Sequence, residues 1–166
     1  MRHEVHRAKR WNRSGMSILV VLHVVAAFVA FAFTAGVGIY LGAIASSGDV
    51  RAIRTAVKTA APLMTAGAIL LVIAVVVGFG VAARAGFDLS STWLIAADVL
   101  AALILVMGLG IHRPWTMRLG AAAAASPDDH ASPELTAIIR DRAAQAAGPI
   151  SGLLWLCLIS DMVLRP

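Results

Sequence analysis

Three ionisable side chains, His23, Asp98 and Asp161, lie within stretches of sequence that are otherwise almost entirely apolar. An imidazole can carry a proton or ligate a metal near neutral pH, and carboxylates can complete either kind of site. A charged group at the centre of a membrane-spanning helix costs about 2.5–3.5 kcal/mol on insertion scales, so such groups usually face inward and pair or serve function. These residue types therefore predict a proton site or a site for a copper or zinc ion.

The depth of the three residues along consecutive predicted spans favours a shared layer. Consecutive spans run in opposite directions, and a rise of about 1.5 Å per residue places all three within about 8 Å of the face that carries both termini. Two interpretations stay open. Either the three side chains converge on one site, or the two carboxylates are solvated near the interface and His23 hydrogen-bonds one of them to lock the bundle.

The other histidines predict no cofactor. A haem held by two histidines would need His23 and His112, which the helical rise separates by about 20 Å, so we expect no haem. His3 and His6 in the N-terminal tail and His130 in a loop are expected to be solvated.

Enzyme activity is not expected from this sequence. It lacks a Ser-His-Asp arrangement, a glycine-rich phosphate loop and a metalloprotease helix. The lone Cys157 excludes an intramolecular disulfide.

The elements that must position these residues are membrane helices. Of the 166 residues 60% are hydrophobic and only 14% are charged, which is typical of an integral membrane protein. A helix crosses the hydrocarbon core of about 30 Å with roughly 20 residues. The predicted spans are 18–44, 62–83, 93–111 and 149–164. We therefore predict an all-α, antiparallel four-helix membrane bundle with both termini on one side.

Two of the connections are predicted to hold short amphipathic helices at the membrane interface. In the first, Asp49 is placed to cap a helix, and Pro62 fits the first turn of the following span. The apolar side of that helix is formed by Val50, Ile53 and Val57. In the third, Ser132 and Pro133 open a helix over the sequence ELTAIIRDRAAQAA.

The first 15 residues hold five Lys or Arg and predict contact with anionic lipid headgroups. No base-reading motif accompanies this charge, so nucleic acid is not an expected partner. We divide the chain into a basic tail, 1–15, and a membrane domain, 16–166, with Met16 as an alternative native start. The positive-inside rule gives no preference for the whole chain and favours cytoplasmic first and third loops for a start at Met16.

The order of these motifs resembles a known family. LHVVAAF opens the first span, Thr65-Ala66-Gly67 follows a proline in the second, GFDLSSTWL opens the third, and the chain closes on MVLRP. This arrangement resembles a bacterial family of four-span membrane proteins of unknown function, distantly similar to the membrane domain of copper-resistance D proteins. The resemblance implies a four-span architecture, a histidine corresponding to His23, and a link to copper handling.

The sequence as a whole predicts a small, non-enzymatic, multi-pass protein of the bacterial inner membrane, with a proton or metal site at His23, Asp98 and Asp161. The alternative is an accessory subunit that packs against a larger membrane partner or another copy of itself. In that case the polar layer serves only as a helix lock.

Overall fold

The computed structural model describes the backbone of residues 2–164 and the side chains of residues 16–164. Within that range the chain is helical, and no strand is present. The headgroup contact predicted for residues 1–15 lies outside the described side chains. The helices are α1 (Arg2–Phe31), α2 (Val37–Ser47), α3 (Val50–Ala85), α4 (Thr92–Met107), α5 (Arg113–Ala125), α6 (Pro133–Ile139) and α7 (Arg142–Leu164).

Two single turns of π-helix join pairs of these helices into longer runs. One turn, Ala32–Gly36, lies between α1 and α2, and the other, Gly108–His112, lies between α4 and α5. Four helical runs of 32 to 36 residues are long and apolar enough to cross a membrane: Met16–Ser47, Val50–Ala85, Thr92–Ala125 and Pro133–Leu164. The protein is therefore an all-α, four-helix, multi-pass membrane bundle, as the sequence predicts.

The helices pack as two antiparallel pairs. In the first pair α1 packs along α3, and in the second α4 packs along α7. Gly48 and Gly86 allow the tight reversals before and after α3, because both adopt positive φ angles, of 73° and 76°. A buried apolar cluster joins the two pairs midway along the bundle, where Phe31 packs edge-to-face on Trp155 with ring centroids 5.4 Å apart.

A second buried cluster, here called the loop-side cluster, lies at the end that carries the first and third loops. It consists of residues from α2, α3, α5 and α6: Leu41, Ala45, Val50, Ile53, Ala56, Ala60, Trp115, Leu119, Ala122, Ala123 and Leu135. A Cβ atom built on Gly120 would lie 2.9 Å from Cγ1 of Val57, so α3 and α5 approach closely there. The helices extend past a hydrocarbon core of about 30 Å and pack on one another at this end.

The residues predicted to form separate interfacial helices are instead continuous with the spans. Residues 50–61 run directly into the second span as part of α3, and Pro62 lies inside the helix. The physical reason is the loop-side cluster: Val50 and Ile53 are buried against other helices, so this segment is held by protein contacts. Asp49 caps α3 as predicted, accepting a hydrogen bond from the backbone N–H of Ala52 at 3.0 Å.

The helix predicted in the third connection is interrupted. Ser132 caps α6 as predicted, accepting from the backbone N–H of Leu135 at 3.1 Å. That helix stops at Ile139, and α7 begins at Arg142 because the Asp141 carboxylate accepts from the backbone N–H of Ala143 at 2.9 Å. The fourth span therefore begins before residue 149, and Pro149 lies inside α7.

Arg54 ties the third loop to the loop-side cluster. Its guanidinium donates to the carboxylate of Asp128 and to the backbone carbonyls of Ala123 and Ser126. Arg51 also pairs with Asp128, at 3.1 Å. The hydrogen bond from Arg54 and the charge of Arg51 hold the pKa of the Asp128 carboxyl below its usual value.

Candidate functional site

His23 lies on α1 and packs directly against α3. Its Nδ1 atom is 2.7 Å from the backbone carbonyl oxygen of Ala74, so the imidazole donates from Nδ1 to α3. A Cβ atom built on Gly78 would lie 2.8 Å from Cε1 of the same ring. A residue without a side chain at position 78 is therefore what lets the imidazole seat on α3, and the contact joins the first two spans.

Asp98 and Asp161 lie on the second pair of helices, Asp98 on α4 and Asp161 on α7. Both are half-buried, and Oδ2 of Asp161 is a buried atom without a hydrogen-bond partner. Within the described side chains no hydrogen bond or ion pair joins His23 to either carboxylate. The same residues contain no group of three or more His, Cys, Asp or Glu that could hold a metal ion. The site predicted for these three residues stays a prediction.

A cavity of about 460 Å³ lies elsewhere, between α2 and α7, and extends to the two π-helical turns, the start of α5 and the end of α6. Its size falls in the range of small-molecule sites, about 300–1,000 Å³. It is lined by small, apolar and uncharged polar side chains and by one imidazole: Thr34, Ala35, Gly38, Ile39, Gly42, Ala45, Ser46, His112, Trp115, Ile139, Ala144, Gln145, Gly148, Pro149, Ser151 and Gly152.

Both π-helical turns border this cavity. Thr34 and Ala35 belong to the first turn, and His112 is the last residue of the second. Pro149, which interrupts the hydrogen-bond ladder of α7, also lines the cavity. Single π-turns inside α-helices occur frequently at functional sites. Three of the four helical runs therefore depart from regular α-helical hydrogen bonding, two at π-turns and one at Pro149, and all three irregular segments line the same cavity.

Glycines keep the cavity open on its two long sides. Gly38 and Gly42 line it from α2, and Gly148 and Gly152 line it from α7. A Cβ atom built on any of these four would meet no other atom within 4 Å. They do not serve close helix packing, in contrast to Gly67 and Gly78, where an added Cβ would come within 3.0 Å of a neighbouring side chain.

Most polar side chains in the cavity are already hydrogen-bonded within the protein. Thr34 and Ser46 donate to carbonyls of their own helices, at Ala30 and Ala43. The indole N–H of Trp115 donates to the carbonyl of Ile138 at 3.0 Å. Their donor hydrogens are therefore already used, and only the hydroxyl oxygens of Thr34 and Ser46 can still accept from a ligand.

Three other polar side chains in the cavity keep a free donor as well as a free acceptor. Among the described residues, no partner is found for the imidazole of His112 or the hydroxyl of Ser151, although Ser151 is only 7% exposed. Gln145 donates one amide N–H to the carbonyl of Ile139 at 3.2 Å, which leaves its second N–H and its amide oxygen free. A buried hydroxyl usually has a partner, so Ser151 identifies the cavity as a candidate binding site, with the half-buried His112 and the exposed Gln145 beside it.

The cavity lining contains no Asp, Glu, Lys or Arg side chain. What this arrangement can do is hydrogen-bond a polar group and surround an apolar body. His112 is the only strong metal ligand in the lining, so the cavity does not provide the several ligands that copper or zinc takes.

No family model, curated protein or solved structure matches this chain. The resemblance to the four-span bacterial family stays a prediction.

Sequence reasoning considered His112 only as a haem ligand and did not predict the cavity. The sequence does carry a signal for the cavity. Glycines recur four residues apart at 38 and 42 and again at 148 and 152, and each pair has a polar residue near it. A stripe of glycines permits either close packing or an open space, and only the tertiary structure distinguishes the two.

Proposed function

We propose that this protein is a non-enzymatic membrane protein of the bacterial inner membrane that binds a lipophilic small molecule in the cavity between α2 and α7. The observation that carries the proposal is the combination of a largely apolar space of about 460 Å³ with the unpartnered His112 and Ser151 side chains inside it. An apolar pocket with a few convergent polar groups is the usual form of a small-molecule site.

The test fills the cavity from a position that tolerates a side chain. Gly152→Leu places an isobutyl group in the cavity, where an added Cβ meets nothing within 4 Å. Gly80→Leu is the matched control, since Gly80 also has open space around its Cβ position but does not line the cavity. Native mass spectrometry of protein released from detergent micelles counts the bound molecules of four oleyl probes: oleyl alcohol, methyl oleate, oleate and oleylamine.

We expect the wild type and Gly80→Leu to retain at least one of these probes with one-to-one stoichiometry, and Gly152→Leu to lose it. If no probe is retained by the wild type, or if Gly152→Leu retains the probes unchanged, the proposal is wrong.

A second proposal concerns the polar layer of His23, Asp98 and Asp161, namely a proton or metal ion coupled to transport. Its support is the buried, unpartnered Oδ2 of Asp161. Added Cu²⁺ or Zn²⁺ would then raise the melting temperature of the wild type and leave that of Asp161→Asn unchanged. The alternative is an accessory role beside a larger membrane protein or another copy of the chain. The contact between His23 and α3 favours it, because the imidazole then serves only to hold two helices together. If no ion shifts the melting temperature of the wild type, the accessory role is the interpretation that remains.

A further inference from the structure

We infer that the cavity selects an uncharged lipid-like molecule whose polar end is a hydroxyl group, bound by His112, Ser151 and Gln145. This inference rests on the proposed binding function and assigns the chemical class of its ligand.

The charge of the lining excludes an ionic head group. The residues around the cavity include no carboxylate, ammonium or guanidinium group. A buried charge without a partner is far more costly than a buried, hydrogen-bonded neutral group. A fatty acid anion or an alkylamine cation would therefore lose part of its hydration in this cavity and gain no opposite charge.

The hydrogen-bonding groups require a ligand that both donates and accepts. The amide oxygen of Gln145 is an acceptor, and its amide nitrogen keeps one N–H beyond the one that it donates to the carbonyl of Ile139. The neutral imidazole of His112 has one donor and one acceptor nitrogen, and the hydroxyl of Ser151 can do both. An ester or ketone group only accepts, so it gives no proton to the acceptor nitrogen of His112 or to the oxygen of Ser151. A hydroxyl group satisfies a donor and an acceptor together.

The remainder of the wall suits a hydrocarbon body. Ala35, Gly38 and Gly152 form small apolar surfaces on both sides of the cavity. Ile39 also lines the cavity and is 72% exposed on the outside of the bundle. A chain longer than the cavity can therefore continue along the lipid-facing side of α2, which fits a membrane-derived amphiphile.

The four oleyl probes share one hydrocarbon chain and differ in the polar end, so their competition measures head-group preference directly. At pH 8, above the ordinary imidazole pKa of about 6.5, His112 offers one donor and one acceptor nitrogen. We expect oleyl alcohol to bind about 2- to 10-fold more tightly than methyl oleate, which corresponds to one hydrogen bond, and both to exceed oleate and oleylamine.

Variants of the polar residues connect this preference to the side chains. His112→Leu and Ser151→Ala should each reduce the preference for oleyl alcohol, and His112→Gln, which keeps a donor and an acceptor, should restore part of it. Gly80→Leu should leave it unchanged. Thermal unfolding of each variant shows whether a loss of probe binding reflects misfolding. The head-group preference of the wild type tests the inference even if every variant misfolds.

The inference is overturned if oleate, oleylamine or methyl oleate binds the wild type as tightly as oleyl alcohol, or if the preference persists in both His112→Leu and Ser151→Ala. Failure of the binding function gives a different result. In that case the wild type retains none of the four probes. If instead the wild type retains all four equally and Gly152→Leu loses them, the binding function is supported and only the hydroxyl selectivity is wrong.

Discussion

His23 illustrates how one polar side chain in an apolar helix is accommodated. The sequence leaves open whether the imidazole shares a site with Asp98 and Asp161 or hydrogen-bonds one of them. In the structure its Nδ1 pairs with a backbone carbonyl of the neighbouring helix, at Ala74. The partner could not be predicted because every helical carbonyl is a potential acceptor and none is marked in the sequence. The nearest signal was Gly78, whose missing side chain opens the space that the ring fills.

The contact between His23 and Gly78 gives a prediction at this scale. Gly78→Ala adds a Cβ atom 2.8 Å from the imidazole, and overpacking of this kind costs about 1–3 kcal/mol. Alanine's helix preference of about 1 kcal/mol offsets part of that cost, so we expect the free energy of unfolding to fall by about 1–3 kcal/mol relative to Gly80→Ala and by less relative to the wild type. His23→Leu removes one interhelical hydrogen bond and should cost about 1 kcal/mol. Unfolding in mixed micelles with increasing sodium dodecyl sulfate measures both.

Gly80→Ala is the matched control, because an added Cβ there meets nothing within 4 Å. It should be neutral or slightly stabilising, since alanine favours a helix over glycine by about 1 kcal/mol. Equal losses in Gly78→Ala and Gly80→Ala would mean that the imidazole does not seat against α3.

At the scale of elements, Arg54 connects the third loop to the helices of the loop-side cluster. Arg54 bridges from α3 to the C-terminal end of α5, where a cation is favourable beside unpaired helix carbonyls, and to Asp128 in the loop itself. The caps at Asp49 and Ser132 were predictable from local sequence. The Arg54 bridge was not, because 74 residues separate it from Asp128 and no local pattern links them.

Asp128 makes the stability of this end pH-dependent. Its pKa is lowered in the folded protein, mainly by the hydrogen bond from Arg54, so its contribution is complete above the ordinary carboxyl pKa of about 3.9. That contribution is lost as the pH falls through the lower pKa of the folded state. We therefore expect the melting temperature of Asp128→Asn to lie below that of the wild type near pH 6, and the two values to converge in strong acid.

Asp129→Asn serves as the comparison. The pKa of Asp129 is also lowered, but its hydrogen-bond partner is the adjacent His130, so the pair ties no separate helices together. Its melting temperature near pH 6 should match that of the wild type. A pH-independent gap between wild type and Asp128→Asn would contradict the role given to the ionised carboxylate.

For the whole molecule, apolar run length was sufficient to predict four spans and their antiparallel order, because a membrane helix must satisfy its backbone internally and bury about 20 apolar residues. The same rule could not predict the outcome at Pro62 or Pro149. Both prolines were expected near the start of a span, yet both lie inside helices held by packing. The cavity was likewise beyond sequence reasoning, since it depends on how α2 and α7 are spaced across the bundle.

The two π-turns have a consequence for how this protein can vary. Successive side chains of an α-helix point about 100° apart around the helix axis. One extra residue in a turn therefore rotates all the side chains after the turn relative to those before it. In the third run, the turn at Gly108–His112 therefore sets the angular phase between the membrane half and the loop-side half, which buries Trp115 and Leu119. Deletion of a single residue there would leave both halves helical and turn one of their faces away from its partners. In this segment, packing on both sides of the turn constrains the number of residues as well as their types.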